Sequence, residues 1–123
     1  MIVGIGIDIT DIWKIEESVG SEALQRRVFT PAELEAVQTY RNKAERLAGK
    51  FAAKEAFMKA LGAGIRQEVW FTQIDVLNDE SGKPYLKISG EAADRLDTSG
   101  AKHVHVSISH SGGMAAALVI LEG

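Results

Sequence analysis

Near the start of the chain, Val3, Ile5, Ile7 and Ile9 alternate with Gly4, Gly6 and Asp8, the period of a strand with one buried face. The spacing predicts that the branched side chains pack inward, leaving the opposite face bare except for the Asp8 carboxylate. Thr30, Pro31 and Glu33 stand in the order of an N-cap, a first-turn proline and an N-terminal acid, predicting a helix to about Tyr40. A longer helix is expected from about Ala44 to Leu61, stopping at Gly62-Ala63-Gly64, where Gly62 can take the left-handed cap. "FTQIDVL" reads as a strand, "NDESGKP" as a turn and "YLKIS" as the returning strand of a hairpin. Residues 91–98 form a short predicted helix, and "HVHVSIS" and "MAAALVIL" make two strands joined by the tight "HSGG" link. The order is strand, helices, then mixed strands with one helix. It predicts an α+β fold in which a mixed or antiparallel sheet packs against a long central helix.

Length and composition narrow the setting. With 123 residues and no obvious linker, the chain is expected to be one domain spanning 1–123, small enough that a second copy could complete its active site. The absence of cysteine rules out disulfides and thiolate metal sites and suits a reducing cytoplasm. No segment resembles a signal peptide or approaches the roughly 20 apolar residues of a membrane span, so a soluble, cytoplasmic protein is expected. A net charge of −3 disfavours nucleic acid as a partner, while a local basic patch could still meet an acidic protein.

The candidate chemistry starts in "FAAKEAFMKALG". On a helical wheel Leu47, Phe51, Met58 and Leu61 share an arc, with Lys54 and Glu55 inside it or at its edge and Lys59 one turn beyond Glu55. The plain reading is an i,i+4 surface pair of Glu55 and Lys59, with Lys54 snorkelling to water. The sharper reading is a cleft in which Glu55 and Lys59 hold a metal and a phosphate. Asp8 favours the second, because a carboxylate on a glycine-lined face needs a partner once covered, and Gly4 and Gly6 permit close approach. The alternative for Asp8 is a strand-end residue bonded to backbone. Two carboxylates suit Mg2+, which completes its shell with water and substrate phosphate. "GIGIDI" lacks the third glycine of a dinucleotide fingerprint, and that motif is rejected. Ser107, Ser109 and His110, followed by Ser111 and two glycines, could bind phosphate or ribose, or simply be the exposed polar face of a hairpin. His103 and His105 read as outward-facing strand residues.

Taken together, "GIGIDIT", "LAGKFAAKEAFMKALGAG", "SGKP" and "VSISHS" resemble the bacterial holo-acyl-carrier-protein synthases, the small 4′-phosphopantetheinyl transferases, over essentially the whole chain. The resemblance implies transfer of 4′-phosphopantetheine from coenzyme A to a serine of apo-acyl carrier protein, with release of 3′,5′-ADP and a requirement for Mg2+, serving fatty acid biosynthesis. It implies Asp8 and Glu55 as metal-binding acids and Lys59 as the cation over the diphosphate, these three being the catalytic set. By the same carry-over Lys50, Lys59, Gly62, Gly82, Lys83, Pro84, Ser109, His110 and Ser111 contact the nucleotide substrate. It also implies a homotrimer with a site at each subunit interface. Lys14 and Lys50 stand where arginine is usual in the family, and Ala63 where threonine is frequent; lysine keeps the charge but loses the bidentate fork. Lys14, Arg26 and Arg27 are expected to dock the acidic carrier, unless Arg26 and Arg27 are a solvated helix face. A non-catalytic coenzyme A-binding module and a Mg2+-dependent phosphohydrolase are the competing classes.

Overall fold

The computed structural model describes residues 1–18, 21–63 and 68–123. Strand β1 (Ile2–Asp11) leads into two short helices, α1 (Ile12–Ser18) and α2 (Glu22–Val28), then α3 (Pro31–Val37) and the long α4 (Lys43–Ala60). A 3-10 turn (Glu68–Gln73) precedes the hairpin β2 (Ile74–Asn78) and β3 (Pro84–Ile88). Helix α5 (Gly90–Thr98) and the hairpin β4 (His103–Ser111) and β5 (Met114–Glu122) complete the order. The fold is α+β, with a three-stranded antiparallel sheet ordered β1-β5-β4 and a separate two-stranded antiparallel sheet β2-β3.

One face of the larger sheet lies on α4, and the sequence of both elements sets how closely. A Cβ at Gly6 would sit 1.8 Å from the Ala56 carbonyl oxygen, and one at Gly4 would sit 2.2 Å from that of Ala60. Any side chain there would push the strand off the helix, so the glycines carry the approach. Ala52, Ala53, Ala56, Phe57 and Met58 of α4 then pack with Val119, Leu121, Ile74, Val76 and Trp70 into the main core. A smaller cluster of Ile15, Phe29, Val37, Leu47, Ala48 and Ala115 fills the end nearer the short helices.

The expected orientation of β1 is therefore reversed. Gly6, Asp8 and Thr10 face the helix and are buried, whereas Ile5, Ile7 and Ile9 are 57%, 59% and 63% exposed. Hydrophobicity indicated the isoleucine face, but backbone clearance decided which face the helix could reach. On the outer face the isoleucines lie beside Ile120, Leu118 and Ala116 of β5, which pair in turn with His105, Ser107 and Ser109 of β4.

Other expectations differ only at their edges. Thr30 closes a full capping box with Glu33, Pro31 opens α3, and the helix ends at Val37 rather than Tyr40. At the end of α4, Gly62 has φ +72°, and its N–H and that of Ala63 donate to the carbonyls of Lys59 and Met58, a Schellman stop. Gly64, the last residue of the expected stop, lies outside the described residues. Phe71, Thr72 and Gln73 belong to the 3-10 turn, so β2 begins only at Ile74. The β4-β5 turn is Gly112-Gly113, both at positive φ, which leaves His110 and Ser111 on the strand.

Candidate active site

Asp8 is 8% exposed, and both of its carboxylate oxygens are engaged. Thr10 Oγ1 donates to Oδ2 at 3.1 Å, and Lys59 Nζ donates to Oδ1 at 3.0 Å and to the Ile7 carbonyl at 3.0 Å. Glu55, one helical turn before Lys59, lies within hydrogen-bonding reach of Asp8. Burial, the Asp8 charge and the contact with Asp8 together raise its pKa from 4.5 to about 7, against the opposing pull of Lys59. The Gly4/Gly6 face thus brings a strand carboxylate against a helix carboxylate, and the pair must share either a proton or a cation. Among the described residues, no three histidine, aspartate or glutamate side chains converge on one point. Two carboxylates beside one lysine match the preference of Mg2+ for few protein ligands, with water and phosphate completing the shell.

Lys54, the neighbour of Glu55 in sequence, takes no part in this cluster. It does not snorkel: its side chain is wholly buried, and Nζ donates to Glu33 Oε1 at 2.6 Å, the Phe71 carbonyl at 2.6 Å and the Val28 carbonyl at 2.7 Å. Glu33 is equally buried and also accepts from the backbone N–H groups of Thr30 and Val76. Burial lowers the pKa of Lys54, and the Glu33 carboxylate opposes that shift. The pair ties α4 to α3, the 3-10 turn and β2.

A second group of expected residues meets in a cleft of about 750 Å3 between α4, the β2-β3 turn and β4. Lys50, Gly82, Pro84 and His110 line it, together with Tyr40, Arg46 and Gly49, whereas Asp8, Glu55 and Lys59 do not. A Cβ on Gly49 would lie 2.8 Å from His110 Nε2, so this glycine admits the end of β4. Lys50 forms part of the floor: it is 5% exposed, and Nζ donates to the Val76 carbonyl at 2.5 Å. Burial lowers its pKa, with Glu33 opposing and Arg46 adding to the shift. Lys83 is exposed on a turn organised by the Asp79 carboxylate, which accepts from the Lys83 and Ser81 N–H groups and the Ser81 hydroxyl. Ser109 and Ser111 lie on the outer face of the sheet, opposite His110 in the strand alternation. Gly62 is exposed at its cap.

The third group flanks a more apolar cleft of about 670 Å3, lined by Lys14, Arg27, Ile15, Leu24, Phe51 and Phe71 among others. Lys14 is exposed and forms a 3.5 Å ion pair with Asp11, and Arg26 is exposed on α2 outside the lining. Sequence reasoning missed Thr10, Tyr40 and Arg46. Thr10 could have been found by extending the alternation of Gly6 and Asp8, and Arg46 by its i,i+4 relation to Lys50.

The 4′-phosphopantetheinyl transferase superfamily model matches residues 4–119. The chain belongs to the holo-[acyl-carrier-protein] synthase family of 4′-phosphopantetheinyl transferases. It is 48% identical to the holo-[acyl-carrier-protein] synthase of Trichlorobacter lovleyi, with 99% of this chain and 98% of that one covered. The solved holo-(acyl-carrier-protein) synthase of Bacillus anthracis, in complex with CoA (3′,5′-ADP), is 43% identical over 99% of this chain and 97% of its own, at a TM-score of 0.82. That of Neisseria meningitidis is 36% identical with full coverage of both chains and a TM-score of 0.87. As a holo-[acyl-carrier-protein] synthase family member, the chain is an enzyme of the transferase class.

Proposed function

We propose that this enzyme transfers 4′-phosphopantetheine from coenzyme A to a serine hydroxyl of an apo-acyl carrier protein, releasing adenosine 3′,5′-bisphosphate, in the cytoplasm and for fatty acid biosynthesis. The observation that carries the reading is the Asp8-Glu55 pair beside Lys59, in a chain nearly half identical to a holo-[acyl-carrier-protein] synthase. Coenzyme A is the named ligand of the related Helicobacter pylori structure, 32% identical to this chain.

In the reaction, the serine oxygen forms a bond to the β-phosphorus as the bond from that phosphorus to the bridging oxygen breaks. The negative charge moves onto the departing bisphosphate. Lys59, held at the edge of the pair by Asp8 and the Ile7 carbonyl, stabilises that charge. The serine proton goes to a base, either Glu55 directly or a water on the metal that Asp8 and Glu55 would hold. Asp8 and Glu55 would hold Mg2+, which when bound polarises the diphosphate and offsets charge on the leaving phosphate.

We further propose a homotrimer whose sites lie between subunits. Support comes from the exposed Ile5, Ile7, Ile9, Met114 and Leu118 face, which is larger than isolated apolar residues on a monomer surface. It comes too from the position of the acids outside the cleft that gathers Lys50, Gly82, Pro84 and His110. The basic residues Lys14, Arg26 and Arg27 are proposed to dock the acidic carrier beside the apolar cleft.

The test is the intact mass of the carrier after incubation with the enzyme, coenzyme A and Mg2+. A gain of one phosphopantetheine group, lost on chelation, is expected. Free phosphopantetheine with an unmodified carrier would make the protein a hydrolase, and binding without turnover would make it a binding module.

A further inference from the structure

The cleft between α4 and the β2-β3 turn contains two lysine or arginine side chains, Lys50 and Arg46, and they are not equivalent. Lys50 is spent on the fold. Its ammonium is committed to the Val76 carbonyl, and burial favours its neutral form. Arg46 is exposed, and among the described residues no carboxylate lies within ion-pair distance of it. Its guanidinium lies 3.6 Å from the centroid of the Tyr40 ring, which is itself exposed and lines the same cleft. Stacking holds the guanidinium plane while leaving its edge N–H groups free to donate, an arrangement suited to a phosphate. Asp79 and Glu80 also line the cleft, but neither forms an ion pair with Arg46, and the Asp79 carboxylate accepts from the Ser81 and Lys83 N–H groups and the Ser81 hydroxyl of its own turn.

We propose that Arg46, stacked on Tyr40, is the residue that binds the 3′-phosphate of coenzyme A in this protein, in place of Lys50. The inference rests on the functional reading above. If the diphosphate lies over Asp8, Glu55 and Lys59, none of which lines this cleft, the cleft receives the adenosine end. The 3′-phosphate is the charged group at that end. A planar fork on a rigid aromatic support also loses less freedom on binding than a lysine would.

Calorimetric titration of the whole protein with coenzyme A and with dephospho-coenzyme A, which lacks only the 3′-phosphate, separates the possibilities. The wild type should bind coenzyme A more tightly. Arg46→Ala should weaken coenzyme A binding by about tenfold or more, the scale of one lost charge-assisted contact, and remove the preference over dephospho-coenzyme A. Arg46→Lys and Tyr40→Ala should each keep part of that preference. A preference for coenzyme A that persists in Arg46→Ala would overturn the assignment, as would equal weakening toward both ligands. If the wild type transfers phosphopantetheine but does not distinguish the two ligands, the assignment fails and the functional reading stands. If it binds neither ligand, both fall.

Discussion

Glu55 holds its proton up to about pH 7 because burial and the Asp8 carboxylate both oppose its charge, and this gives the site a signature independent of turnover. The folded protein binds that proton more tightly than the unfolded chain, whose glutamate titrates near 4.5. The corresponding stability is fully present below 4.5 and is lost as the pH rises through 7. In metal-free protein, Glu55→Gln removes this dependence, so the variant should gain stability relative to wild type as the pH rises across that window. Chemical denaturation in the presence of a chelator measures it. Parallel pH profiles for the two proteins would show that burial and Asp8 do not raise the Glu55 pKa in the folded protein. Transfer should fall by about 10²-fold or more in the same variant, the scale of losing one preorganised charge contact. That Asp8 is partnered was readable in the sequence, because a lone carboxylate among glycines needs a partner. Lys54 was not readable in this way, because nothing local to α4 shows that Glu33, twenty-one residues earlier, is brought against it.

At the level of elements, α4 supplies the residues for three environments from one helix. Glu55 and Lys59 face β1, Lys54 faces the α3 side, and Arg46, Gly49 and Lys50 face the His110 cleft. The Lys54-Glu33 pair sets that orientation by linking α4 to the backbone at Val28, Phe71 and Val76. Lys54→Met leaves a buried carboxylate without its cation and should destabilise the protein by about 3–5 kcal/mol. Adding Glu33→Gln should recover part of the loss in a denaturant titration, and an unchanged midpoint for Lys54→Met would contradict the buried tie. The ends of α3 and α4 were legible because Thr30, Pro31, Glu33 and Gly62 encode them locally. The buried face of β1 was not, since it depends on how near the Ala56 and Ala60 carbonyls come to Gly6 and Gly4. The helices α1 and α2 have seven residues each, too few for a clear period to emerge from sequence.

For the whole molecule, we propose that the acids of one subunit work on coenzyme A held in the cleft of the next. Two features support it: the isoleucine-rich outer face of the sheet, and the separation of Asp8, Glu55 and Lys59 from the lining of the His110 cleft. The most direct test mixes two impaired proteins. Glu55→Gln chains lack a working acid pair, and His110→Ala chains lack a complete cleft. When equal amounts are unfolded and refolded together, about a quarter of the interfaces in a randomly assembled cyclic oligomer pair an intact acid site with an intact cleft. Carrier modification well above the sum of the two separately refolded variants is expected. Mixed trimers of verified composition that show no gain over that sum would contradict it, and would place the whole site within one chain.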